Sequence, residues 1–307
     1  MSKKIIKIGT RGSKLALTQT GYVIESLSQV QSDIEFKTVI IKTAGDSNQI
    51  ASLEKIGGAG LFTRKIESEL LEGNIDLAVH SAKDLPSVMT ESLTIAAVPV
   101  REDCRDAWLT LTGENLDDIK AGARVGTGSP RRRAQILNTR PDLSVIDMRG
   151  NVETRLRKMK EGVCDALLMA AAGLKRIGYE NHITEYLPPD SFIPAPGQGS
   201  LIVQARENDT DIIETAKVIN DSGADRCLKI ERLLLEKLNA GCSAAVGGRA
   251  RIENNVIHLD AVVLDKSGRK RLFKSAQIDA GQPDELLVDM VTEDLFRRGA
   301  GELIEQI

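Results

Sequence analysis

The chain is poor in the residue types that several kinds of site depend on. Aromatic residues make up 3% of its 307 positions, too few to lay stacking platforms along a basic groove. With a formal net charge of −3 and no long basic stripe, the composition speaks against a nucleic-acid partner. It has three histidines, and its four cysteines (Cys104, Cys164, Cys227 and Cys242) stand far apart with no C-x-x-C pair. Such spacing offers neither a metal site nor a disulfide framework and is that of reduced thiols in a cytoplasm. No run approaches the roughly 18 apolar residues of a membrane span. The opening MSKKIIKIGTRGS has too short an apolar patch for a signal-peptide core. What is present, 41% hydrophobic and 28% charged residues, is the balance of a soluble globular protein.

The length predicts two or three domains. Short β-rich runs alternate with helical patterns through the first part of the chain, with strands expected at 4–8, 34–41 and 75–79 and helices at 13–30 and 61–72. This βαβ grammar predicts a largely parallel sheet covered by helices. Two polar tracts rich in Pro or Gly, 99–106 and 188–199, read as interdomain crossings. Between them a second α/β block is expected, with strands at 123–125, 143–148 and 166–169 and helices opening at Pro130 and Asn151. The run 200–205 reads as a strand able to return to the first sheet. The remainder reads as α+β, with a helix at 224–239, strands at 245–252, 256–264 and 271–278, and a helix at 283–298. The expected domains are therefore 1–99 plus 200–218, 100–199, and 219–307. Residues 43–60 lack periodicity, end in a glycine cluster, and read equally well as a lid or a mobile surface loop.

The most informative stretch is GTGSPRRRAQILNTRPDLSVIDMRGNVETRLR, Gly126 to Arg157. It places Arg131, Arg132 and Arg133 after the turn Gly126-Thr127-Gly128-Ser129, and Arg149 and Arg155 around Gly150-Asn151. Ser129 and Asn151 suit N-caps and Pro130 a first helical position. A helix N-terminus already offers free N–H groups and the positive dipole end, so arginines there suit carboxylate or phosphate. Arg140 and Arg157 read as solvated surface groups. Thr10-Arg11-Gly12-Ser13 forms a third junction of this kind. The sequence His80-Ser81-Ala82-Lys83-Asp84-Leu85-Pro86 follows an apolar strand, and a lone carboxylate there could hold a cationic substrate group or an electron-deficient intermediate. Gly241-Cys242 lies in a loop of small residues, where a thiol is a candidate nucleophile or covalent attachment point; Cys164 and Cys227 read as buried hydrophobes.

These blocks, together with Lys55-Ile56-Gly57-Gly58-Ala59-Gly60-Leu61-Phe62, Arg101-Glu102-Asp103, Ala172-Gly173-Leu174-Lys175-Arg176 and Pro196-Gly197-Gln198-Gly199, resemble the porphobilinogen deaminase (hydroxymethylbilane synthase) family over nearly the whole chain. The resemblance implies an α/β protein of two periplasmic-binding-protein-like (type II) lobes with a double hinge, plus a small C-terminal α+β domain. It implies a dipyrromethane cofactor in thioether linkage to Cys242 and a transferase of tetrapyrrole (heme) biosynthesis. That enzyme condenses four porphobilinogen molecules head to tail, with loss of ammonia, to hydroxymethylbilane. Asp84 would be catalytic. Ser81, Lys83, Asp84, Thr127, Ser129, Arg131, Arg132, Arg149, Gly150 and Gly173 would hold the cofactor. The substrate would be bound by Arg11, Ser13, Gln19, Lys55, Phe62, Arg149, Arg155, Arg176 and Gln198, its carboxylates pairing with the arginines. Ala59 stands where the family often has lysine, which leaves the lid's substrate contacts to Lys55. The expected partner is the small-molecule substrate alone, with a cytoplasmic monomer and no nucleic acid or membrane. A rival reading is a non-catalytic carboxylate-binding module on the same two-lobed fold, which would need neither Asp84 nor Cys242.

Overall fold

A computed structural model describes residues 3–42, 61–241 and 243–305. The chain divides into two compact units, Met1–Glu102 with Ser200–Arg226, and Asp103–Gly199 with Cys227–Ile307.

In the first unit, β1 (Lys4–Thr10) leads into α1 (Lys14–Val30), β2 (Ile34–Ile40), α2 (Leu61–Leu71), β3 (Leu77–Ser81) and β4 (Leu93–Ala97). Ser13 caps α1 by accepting a hydrogen bond from the Ala16 N–H. Buried Gln19, Val23 and Leu27 recur at intervals of four, which places one face of α1 against the sheet. Ile6, Ile8, Val23, Leu27, Leu77, Val79, Leu201 and Val203 make one core, and Ile66, Leu70, Ile75 and Ala78 make another beneath α2.

The second unit begins with β5 (Asp106–Thr110), followed by β6 (Arg124–Gly126), α3 (Pro130–Thr139), β7 (Ser144–Ile146), α4 (Val152–Lys160), β8 (Ala166–Ala170), α5 (Ala171–Arg176) and β9 (Glu185–Tyr186). The chain then supplies β10 (Leu201–Arg206) and α6 (Thr210–Lys217) to the first unit, and α7 (Ser222–Lys237) carries it back. The last part holds the antiparallel β11 (Ala245–Glu253), β12 (Val256–Leu264) and β13 (Arg271–Asp279), with α8 (Asp284–Arg297) and α9 (Ala300–Glu305) packed on a separate core. At the turn between β12 and β13, Gly268 has φ of 74°, and a Cβ there would lie 2.4 Å from the Ala134 carbonyl oxygen of α3. Only glycine fits that approach.

Both five-stranded sheets follow one plan. Their orders are β2-β1-β3-β10-β4 and β7-β6-β8-β5-β9. In each, four strands point the same way, while β10 and β5 run antiparallel to both of their neighbours. The expected largely parallel sheet is found, and the departure from it is one reversed strand in each. A strand that enters from a crossing rather than through a βαβ turn is free to run antiparallel, and periodicity does not report direction. The return of 201–206 to the first sheet is as expected. The tract 99–106 runs one residue too far, because Asp106 is already the buried first residue of β5. All five residues of β5 are buried, so the alternation that marks a half-exposed strand is absent. Arg140 is not a solvated surface group either: its guanidinium donates to the Leu116 oxygen at 2.6 Å and the Ile119 oxygen at 2.9 Å, and pairs with Asp142. None of the helices among the described residues is long and apolar enough to cross a membrane.

Candidate active site

In the first unit the named residues gather where the neighbouring parallel strands β1 and β3 end. Thr10, buried, closes β1 and donates to the Ala16 oxygen at 3.3 Å. Arg11 is half-buried and Ser13 is spent on capping. One turn further along α1, buried Gln19 donates from Nε2 to Ser81 Oγ at 2.9 Å, tying the helix to the last residue of β3. A single 3-10 turn, Ala82–Asp84, follows. It is fixed by the Ala82 N–H donating to the Ser200 oxygen (3.0 Å) and by the Leu85 N–H donating to the Ala82 oxygen (3.3 Å). Lys83 is half-buried and Asp84 is exposed. A carboxylate at the mouth of a rigid sheet is well placed for work on a bound molecule.

In the second unit, β6 and β7 are parallel neighbours and their ends lie together. The Thr127 N–H donates to the Ile146 oxygen (3.1 Å) and the Met148 N–H to the Thr127 oxygen (3.3 Å), so the two Gly/Arg junctions share one edge. Ser129 caps α3 and Asn151 caps α4, each accepting from a backbone N–H three residues on. Gly150 has φ of 120°, and a Cβ there would strike the Thr154 side chain at 2.7 Å. Its carbonyl oxygen accepts from Arg155 Nε at 2.8 Å. Arg149 is exposed and pairs with Asp147 at 2.9 Å. Gly173 lies in α5, and at the end of that helix Arg176 donates to the Gly199 oxygen at 2.7 Å.

Arg131 and Arg132 are placed differently from Arg149. Both are buried and both turn inward onto Asp106, at 2.7 and 2.8 Å. Arg131 also donates to the Ile193 oxygen, and Arg132 to the Leu168 oxygen and to Gln198 Oε1. Gln198 completes the cluster, donating from Nε2 to the Cys104 oxygen at 2.7 Å and to Asp106 Oδ1 at 3.0 Å. Burial alone would raise the Asp106 carboxyl; Arg131 and Arg132 override it and hold the group well below the usual carboxylate range. Asp106 escaped the sequence reading. The available signal was a charged residue heading the apolar run Ala-Trp-Leu. Cys164 and Cys227 are buried as expected, and burial pushes the Cys164 thiol up to about 11.

Lys55 and Cys242 lie outside the described residues, as does the Phe62 side chain. Of the remaining named residues, Arg11, Ser13, Gln19, Ser81, Lys83 and Asp84 belong to one unit and Thr127 to Arg132, Arg149 to Arg155, Arg176 and Gln198 to the other.

Residues 6–214 match the family described as "Porphobilinogen deaminase, dipyromethane cofactor binding domain", and residues 226–295 match "Porphobilinogen deaminase, C-terminal domain". The chain is 39% identical over 307 residues to the porphobilinogen deaminase of Syntrophobacter fumaroxidans, covering 100% of this chain and 99% of that one. It is 44% identical over 307 residues to that of Shouchella clausii (99% and 97% covered) and 42% identical over 305 residues to that of Carboxydothermus hydrogenoformans (99% and 98%). With its length spanned by such relatives and both segments matched, the chain belongs to the porphobilinogen deaminase family.

Proposed function

We propose that this chain condenses four porphobilinogen molecules head to tail, releasing ammonia, to give hydroxymethylbilane, and that Asp84 is its catalytic carboxylate. The observation that carries the reading is the position of Asp84. It stands exposed on a one-turn helix at the end of β3, braced by Gln19–Ser81 and beside the Arg11–Ser13 junction. As ammonia leaves, positive charge develops on the substrate, and a fixed carboxylate stabilises it. The same carboxylate can pass a proton to the departing amine and take one from the pyrrole α-carbon.

The residues of the second unit suit a dipyrromethane. Each of its pyrroles carries two carboxylates, and the β6 and β7 ends supply Thr127, Ser129 and Arg149 beside Gly150, whose φ of 120° forms the turn into α4. When bound in thioether linkage to Cys242, the cofactor supplies the tethered pyrrole terminus from which the chain grows. Arg149, Arg155 and Arg176 would receive carboxylates of the bound chain. Arg131 and Arg132, being committed to Asp106, would act from behind, by keeping the α3 N-terminus positive and fixed.

We read the chain as three domains, 1–99 plus 200–218, 100–199, and 219–307, each with its own sheet, acting as a cytoplasmic monomer on a small-molecule substrate without nucleic-acid or membrane partners. The test is intact mass of protein made with porphobilinogen available, alongside ammonia release. The expected mass exceeds that of the sequence by two linked pyrrole units, with Cys242 blocked to alkylation. An unmodified mass with Cys242 freely alkylated would instead fit a carboxylate-binding module.

A further inference from the structure

Beneath α2 a buried polar chain crosses an otherwise apolar layer. Glu67 on α2 is 4% exposed, Gln204 on β10 is 0% exposed, and His80 on β3 is 6% exposed. Gln204 Nε2 donates to Glu67 Oε1 at 3.0 Å, and His80 Nε2 lies 3.1 Å from Gln204 Oε1. The other Glu67 oxygen, Oε2, accepts from Thr90 Oγ1 at 3.0 Å. A carboxylate offers acceptors only, so the Gln204 amide must present its NH2 to Glu67 and its oxygen to His80. That orientation requires the proton of His80 on Nε2. Burial favours the neutral imidazole such an arrangement needs, lowering the His80 pKa to about 4.

The two ends of this chain are the two ends of one loop. His80 is the penultimate residue of β3, and Thr90 comes just before β4. Between them lie Ser81, Lys83, Asp84 and Pro86. One carboxylate therefore grips the segment on both sides, through Gln204 and His80 upstream and through Thr90 downstream. We propose that Glu67 is a positioning residue for Asp84, holding both ends of the His80–Thr90 segment so that the turn carrying the catalytic carboxylate keeps one geometry. This rests on the role given to Asp84 above. A misplaced catalytic group costs rate more than binding, because it is the reacting geometry that is lost.

Thr90→Val tests the downstream grip without touching the core, since Thr90 is half-buried and valine has its shape. In holoenzyme of equal cofactor occupancy by intact mass, Thr90→Val should lower kcat about tenfold and leave KM within about twofold. Thr90→Ser, which keeps the hydroxyl, should retain the parent's kcat. Glu67→Gln should retain most of it, because a glutamine oxygen still accepts from Gln204 and its NH2 can donate to a turned Thr90 hydroxyl. Hydrogen exchange of the segment 81–86 supplies a readout that does not depend on turnover: exchange should speed up in Thr90→Val and not in Thr90→Ser. Unchanged exchange in folded Thr90→Val overturns the proposal whether or not the parent converts porphobilinogen, and so does an equal loss of kcat in Thr90→Ser. A parent that releases no ammonia while the exchange pattern holds would overturn the proposed reaction and the role of Asp84 in it, and would leave the grip itself standing.

Discussion

Arg131 lies bidentate against Asp106, Nη1 to Oδ2 at 2.7 Å and Nη2 to Oδ1 at 3.2 Å, with both side chains out of water. Arg132 takes the same carboxylate through Nε. Two cations thus share one anion at the start of α3. Asp106→Asn should destabilise the protein by about 3–5 kcal/mol, since it leaves buried guanidinium charge uncompensated. Urea unfolding of the two proteins measures this. A loss below about 1 kcal/mol would mean that water or another anion reaches the cluster.

The arginines divide by burial into two kinds, and their leucine variants should divide in the same way. Arg149→Leu, at an exposed position, should change stability by no more than about 0.5 kcal/mol while impairing cofactor assembly or early chain growth. Arg131→Leu should lower stability by about 3 kcal/mol or more, because it leaves Asp106 with a single cation. Thermal unfolding paired with mass spectrometry of the assembled cofactor separates the two effects. Normal assembly in Arg149→Leu would take that residue off the substrate path.

Asp84→Asn should keep the fold and the bound cofactor yet lose turnover by about several hundredfold, the usual cost of removing one preorganised electrostatic partner. Loss of proton transfer adds roughly another hundredfold. Asp84→Glu keeps the charge and moves it by one methylene, so a small residue of activity should survive. Single-turnover ammonia release compares the three at equal cofactor occupancy. Asparagine within about tenfold of the parent would reduce Asp84 to a structural carboxylate.

His80 gives the protein an acid limit of its own. Burial lowers its pKa from 6.5 to about 4, against the opposing pull of Glu67, Gln204 and Asp84. The folded state therefore refuses a proton that the unfolded chain accepts. The stability at stake is complete above pH 6.5 and is lost as the pH falls towards 4, by on the order of 3 kcal/mol in all. In His80→Gln, the urea midpoint should vary less between pH 7 and pH 4 than in the parent. Parallel profiles would place the acid sensitivity elsewhere.

Local chemistry was legible in the sequence and distant pairing was not. Ser129 and Asn151 cap helices because a short polar side chain before an amphipathic run can satisfy the free N–H groups of the first turn, and the strand-end junctions followed from the same grammar. Arg131 looked identical to Arg149, for both are arginines beside a Gly/Ser or Gly/Asn turn. Only the position of Asp106, 25 residues upstream in a strand without alternation, sends one inward and leaves the other exposed. Glu67 was hidden similarly: it shares the buried face of α2 with Ile66 and Leu70, and nothing near it in sequence reveals Gln204.

The place of β10 between β3 and β4 has a consequence for synthesis. During translation, β1 to β4 are all made before residue 201 exists, yet among the described residues the only strand that β4 pairs with is β10. The first sheet therefore cannot close as it emerges. Its fourth and fifth places wait until the second sheet's strands have all been made, and a nascent chain stalled in that interval exposes the inner edge of β3. The lobe that carries Asp84 is begun first and, of the two five-stranded sheets, holds the one completed last.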